Sequence, residues 1–142
     1  MAASAELYAN FFSNAFGANI PDMEGADNLE CMLLDSNHTF DEANEFVDDI
    51  NANEIDDSDY SRQLLDNVAV TQNTNEINVD ADDITFGSSV SISASYAVIY
   101  ALNTDDTDSP LLFHVDFDGQ EESVDGEFTL QVDANGLFDV VT

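Results

Sequence analysis

Apolar residues recur at helical spacing near the start of the chain and give way to alternation beyond residue 60. Leu7, Tyr8, Phe11, Phe12, Ala15 and Phe16 fall at i, i+3 and i+4 positions. That spacing predicts an N-terminal helix over about residues 4–16, with Ser4 as its N-cap and Gly17 as its stop. Pro21 and Gly25 mark residues 18–28 as a loop, and Leu29–Asp35 reads as a largely buried strand. Asp41–Val47 predicts a short helix with acidic residues in its first turn, where the helix dipole favours them. A mostly polar connection follows to Asp59, broken by Ile50 and Ile55.

From there the pattern is β throughout, with strands expected at 62–73, 76–80, 83–87, 92–102, 110–118, 126–133 and 136–141. Phe113, Val115 and Phe117 alternate with His114, Asp116 and Asp118, and Phe128, Leu130 and Val132 alternate with Thr129, Gln131 and Asp133. Alternation predicts one face in the core and one in water. Tyr96–Tyr100 is apolar throughout and reads as central, buried on both faces. The expectation is a mainly β protein: one antiparallel β-sandwich or jelly-roll-like domain over residues 1–142, carrying an N-terminal helix.

Charge changes this picture most. The chain holds 31 Asp plus Glu against one basic residue, Arg62, for a formal net charge of −30. A basic patch for nucleic acid or for an anionic membrane surface is therefore excluded. The acids are interleaved with apolar runs, and ten Phe and four Tyr are too many for a solvated spacer, so the chain reads as folded. Self-repulsion of this size disfavours the compact state in dilute buffer. The Debye length falls from about 8 Å at physiological ionic strength to about 3 Å at 1 M salt, so molar salt screens most of it. An Asp-rich chain without lysine thus points to a haloarchaeal or similarly salt-loving source. Met1–Ser4 carries no basic n-region, so no secretory signal is expected, and the longest apolar run, Tyr96–Leu102, is far short of a membrane span.

Little in the sequence offers catalysis. His38 and His114 are the two histidines, the first in a loop and the second facing outward from its strand. No nucleophile elbow or phosphate-cradling glycine loop is present, and the lone Cys31 sits in an apolar run as a buried thiol. Asp56-Asp57-Ser58-Asp59, Asp80-Ala81-Asp82-Asp83 and Asp105-Asp106-Thr107-Asp108 each gather three carboxylates, readable as solvated acidic loops or as a site for a hard divalent cation. Neither a catalytic residue nor a cofactor or metal site is assigned. Arg62 stands out as the one cation. It suits an ion pair with a nearby Asp at the start of a strand, or a contact between subunits, since guanidinium chelates carboxylate bidentately. Phe11, Phe12 and Phe16 are either core or, together with Arg62, a subunit interface.

The order Leu29–Ser36, Thr39-Phe40-Asp41, Phe46–Ile50, Asn53-Glu54-Ile55 and Asp59–Leu64, followed by Val79–Phe86, Ala97–Tyr100, Ser109–Leu112, Asp116-Phe117, Phe128–Leu130 and Gly136–Phe138, resembles small virion proteins of tailed viruses. The likeness is distributed over about residues 7–140, and the chain differs from that pattern by its acidity, in keeping with a virus of haloarchaea. The resemblance implies a virion location and a capsid decoration or surface role. It also implies the major capsid protein or other virion proteins as partners, and homo-oligomers. Neck or tail placement is the close rival. An acidic mimic of DNA that inhibits a host protein is a reading of another class; an enzyme requires the Asp triplets to converge on a metal.

Overall fold

The computed structural model describes residues 2–73, 76–132 and 138–141. It is mainly β, with antiparallel pairing throughout. In chain order the elements are strand β1 (Ala2–Leu7), helix α1 (Phe11–Phe16) and strand β2 (Leu29–Leu34); two short 3-10 turns follow (Val47–Asp49, Asn51–Asn53). Strands β3 (Gln63–Leu64), β4 (Ala69–Asn73), β5 (Glu76–Asp80), β6 (Ile84–Ala101), β7 (Leu111–Val132) and β8 (Phe138–Val141) complete the chain.

One six-stranded sheet runs β1-β8-β7-β6-β2-β3, and β4 with β5 forms a separate two-stranded ribbon. Strands β6 and β7 are a single long hairpin, paired from Tyr100↔Leu111 to Ile84↔Leu130. Its length, with five breaks in register along it, lets it bend. The start of β7 then pairs with β1 (Leu7↔Phe113), its end pairs with β8 (Val132↔Phe138), and β8 pairs with β1 (Ala3↔Phe138). These three strands close a circuit of hydrogen bonds at one side of the sheet.

Several sequence expectations change here. Residues 4–16 are not one helix: β1 occupies the first half, and only Phe11–Phe16 coil. An isolated helix of that size is marginal, and strand pairing offers Ala2–Leu7 a partner along one edge, β8 for Ala2–Ala3 and β7 for Ser4–Leu7. The four expected strands at 83–87, 92–102, 110–118 and 126–133 merge into two: β6 runs on through a bulge at Gly87, at φ +145°, and β7 runs on through Asp118 and Gly119, at φ +58° and +132°. The 62–73 strand divides into β3 and β4, and Asp41–Val47 forms a turn rather than a helix. The turn expected at Asn73-Thr74-Asn75 and the start of the last strand lie outside the described residues.

The core occupies both faces of the sheet. On one face Leu29, Cys31, Leu33, Ala97, Ile99, Val115, Phe117, Phe128 and Leu130 pack together under the bent hairpin. On the other, Met32, Leu34, Val98, Tyr100 and Leu111 are covered by Tyr8, Val47 and Ile50. Tyr96–Tyr100 is therefore central, as its unbroken apolarity predicts. The second face also corrects His114. Expected in water, it is buried, because the chain around His38 and Phe40 crosses over it.

Candidate interaction surface and its supports

The three N-terminal phenylalanines part company in the fold. Phe11 turns inward against Phe113, with ring centroids 5.7 Å apart. Phe12 and Phe16 stack on each other at 6.3 Å and face solvent, Phe12 at 52% and Phe16 at 88% exposure; Leu7, at the end of β1, is exposed at 45%. No acidic residue occurs from Leu7 to Pro21. The helix is held from below by Tyr8, whose ring is buried, and from the side by Asn14, whose amide donates to Glu45 Oε1 at 3.3 Å. A small apolar face thus stands on an anchored element in a carboxylate-rich chain.

Arg62 is at the centre of the densest polar cluster. Its Nε and Nη2 donate to the two oxygens of Glu54 at 2.7 Å each. Its Nη1 and Nη2 donate to those of Asp106 at 2.8 and 3.0 Å. The remaining Nη1 hydrogen goes to the Tyr100 hydroxyl at 3.1 Å, so all five guanidinium donors are used. Around this, Tyr100 donates to Glu30, Tyr60 donates to Glu54, the Leu33 amide donates to Tyr60, and Asn51 donates to Asp106. Its hydrogen bonds to Glu54 and then to Asp106 hold the guanidinium well above its ordinary range, and the bond from Arg62 holds the Asp106 carboxyl below its own. The side chain is only 23% exposed, so molar salt screens these bonds far less than it screens surface charges. Arg62 ties the 51–62 segment to the 102–110 loop through bidentate pairs, which lysine cannot make, and reaches β6 through Tyr100 and β2 through the bond of Tyr100 to Glu30. Its donors being taken within the chain, it bears on a subunit contact only through the loops it fixes.

The acidic triplets accept hydrogen bonds from within the chain, several of them from distant segments. Asp57 and Asp59 accept the amides of Ser93 and Ser91 at 3.0 and 2.9 Å, along the part of β6 that β2 does not reach. Asp82 takes the Asn67 amide, and Asp83 takes the Val132 N–H. Asp105 accepts from Thr107, and Asp108 accepts from the Asp105 N–H. Asp35, Glu54, Asp56 and Asp57 also line an open cleft of about 360 Å³ beside Ser93. Among the described residues no group of three or more His, Cys, Asp or Glu is arranged to hold a metal ion, and no helix is long and apolar enough to cross a membrane. Cys31 is fully buried, and burial pushes its thiol up, away from reactivity.

Sequence reasoning missed the pairing of His38 with His114. Their rings lie 5.2 Å apart in a box completed by Phe40 and Tyr96 and bordered by Tyr8. They are 76 positions apart in sequence, and nothing local in the chain signals that they meet. No protein-family model, curated protein or solved structure matches the chain.

Proposed function

We propose that the protein is a virion structural component that decorates or projects from the capsid of a haloarchaeal tailed virus, acting by self-association and by binding the capsid lattice. The observation that carries this reading is the exposed, stacked Phe12–Phe16 pair within an acid-free stretch of a chain with 31 acids. Its occupant is a second copy. Two copies meeting there oppose no carboxylates from that stretch, whereas a cationic partner would choose the acidic surface instead. In molar salt, apolar and shape-matched contacts carry assembly because charge steering is screened. The circuit of β1, β7 and β8 supports a sandwich or jelly-roll-like coat unit, and neck or tail attachment would draw on the same surface.

Sedimentation in molar KCl tests the reading. The native protein is expected to run as an oligomer, and the Phe12→Ser/Phe16→Ser variant as a monomer with an unchanged circular dichroism spectrum. Mass spectrometry of washed particles should find many copies. A native monomer, absent from particles and bound to a host DNA-binding enzyme, would favour the DNA-mimic reading instead.

A further inference from the structure

We propose that His38 and His114 form an acid-sensitive latch, which holds the N-terminal strap that links β1 to α1 on the sheet at neutral pH and releases it when the imidazoles take up protons. The inference stands without the virion reading, since it rests on the box alone. His114 is 1% exposed and His38 5%. Both ring nitrogens of His114, Nε2 of His38 and the Tyr8 hydroxyl are buried without a hydrogen-bond partner among the described residues. Aromatic rings fill the surroundings: Phe40 lies 4.6 Å from His114, Tyr96 5.2 Å and Tyr8 6.2 Å, centroid to centroid.

Such a box tolerates a neutral imidazole and opposes a charged one. An imidazolium has two N–H donors, and His114 has no acceptor for either. The charged groups nearby are few. Asp116, on the same strand, pulls the His114 pKa up, and Asp35, on the crossing chain, does the same for His38. Glu6 of β1 stands across from His114 in register but is exposed, as are Asp41 and Glu42 on the crossing chain. Tyr8 and Tyr96 are the titratable groups contributed by the strap and by β6. Burial outweighs the acids. It is the main reason that His114 is pushed down to about 4, with His38 adding to it, and burial also lowers His38.

The direction follows from linkage. A released imidazole titrates near 6.5, so the open state binds the proton first and opening is favoured as pH falls from 6.5 toward 4. On either side of this point β1 is paired with β7 from Ser4 to Leu7, Phe11 packs on Phe113 and Asn14 donates to Glu45, so the latch acts on the link between β1 and α1. That link is held by three bonds: Tyr8 N–H donates to Leu112 O at 3.2 Å, Ala9 N–H to Glu42 O at 3.0 Å, and the Asn10 amide to Ala43 O at 3.4 Å. The bonds of Ala9 and Asn10 are exposed, and exposed bonds open locally first.

Amide hydrogen exchange, followed by NMR on the full chain in molar KCl and corrected for intrinsic rates, tests the latch. Between pH 7.5 and 4.5 the protection of the Tyr8 and Ala9 amides should fall about a hundredfold, while the Cys31 and Ala97 amides hold. His114→Phe should abolish the fall. Unchanged protection in the native protein, or an equal fall in His114→Phe, overturns the proposal. Should that variant fail to fold, the ring protons of native His114 decide. A midpoint well below 5.5 supports the latch, and one near 6.5 overturns it.

Discussion

With one cation and 31 acids, the side chains solve an unusual pairing problem, and they do so largely with the backbone. Asp57, Asp59, Asp83 and Glu24 accept amide N–H groups from distant segments, Ser93, Ser91, Val132 and Val70. A carboxylate that accepts an otherwise free amide needs no lysine. It also blunts the open edge of β6 with charge, as exposed strand edges require. The single guanidinium is kept where its five donors meet four carboxylate oxygens and a phenol. Arg62→Ala leaves Glu54 and Asp106 facing a gap, and should lower unfolding stability by about 2–4 kcal/mol in urea titrations at molar KCl. Arg62→Lys keeps the charge but not the fork, and should lie between that variant and the native protein. The sequence pointed to Arg62 because it was alone in charge; it does form ion pairs, but with Glu54 and the distant Asp106 rather than with a nearby Asp at the start of a strand. That its partners are Glu54 and Asp106 was not legible: they lie 8 and 44 positions away and are brought together only by the fold.

At the level of elements, the same aromatic spacing served two ends. Phe11 is core, packed on Phe113, while Phe12 and Phe16 are surface, although all three lie on one short helix. Phe11→Ala should therefore cost about 1–3 kcal/mol of stability, and Phe12→Ala or Phe16→Ala less than about 0.5, measured as shifts in the denaturation midpoint. Gly87 is the other decisive position. A Cβ there would sit 2.4 Å from Val90 Cγ1, on a backbone at φ +145° that side chains rarely adopt. Gly87→Ala should destabilise by more than about 1 kcal/mol, with the loss expressed at the far end of the β6–β7 hairpin in hydrogen exchange. Local pattern could not distinguish a bulge from a turn at Gly87-Ser88-Ser89. Both use glycine and small polar residues, and what decides between them is whether the partner strand continues alongside.

For the whole molecule, 31 carboxylates with one counter-charge make the compact state dependent on screening. Circular dichroism and melting temperature followed from molar KCl down to salt-free buffer should show progressive loss of structure. Reversal on adding KCl and no rescue by neutral sucrose would assign the effect to charge rather than to packing. The chain by itself determined the mainly β class, the central Tyr96–Tyr100 strand, the buried thiol and the shortage of cations. These depend on composition and on periodicity within a few residues, and both are carried by any stretch of sequence read in isolation. Tertiary structure alone decided that β1 is a strand, that four expected strands are one bent hairpin, that His38 meets His114, and that Phe12 and Phe16 face outward. Each of these depends on which distant segment supplies a hydrogen-bond partner or covers a face, and that is fixed only when the sheet closes on itself.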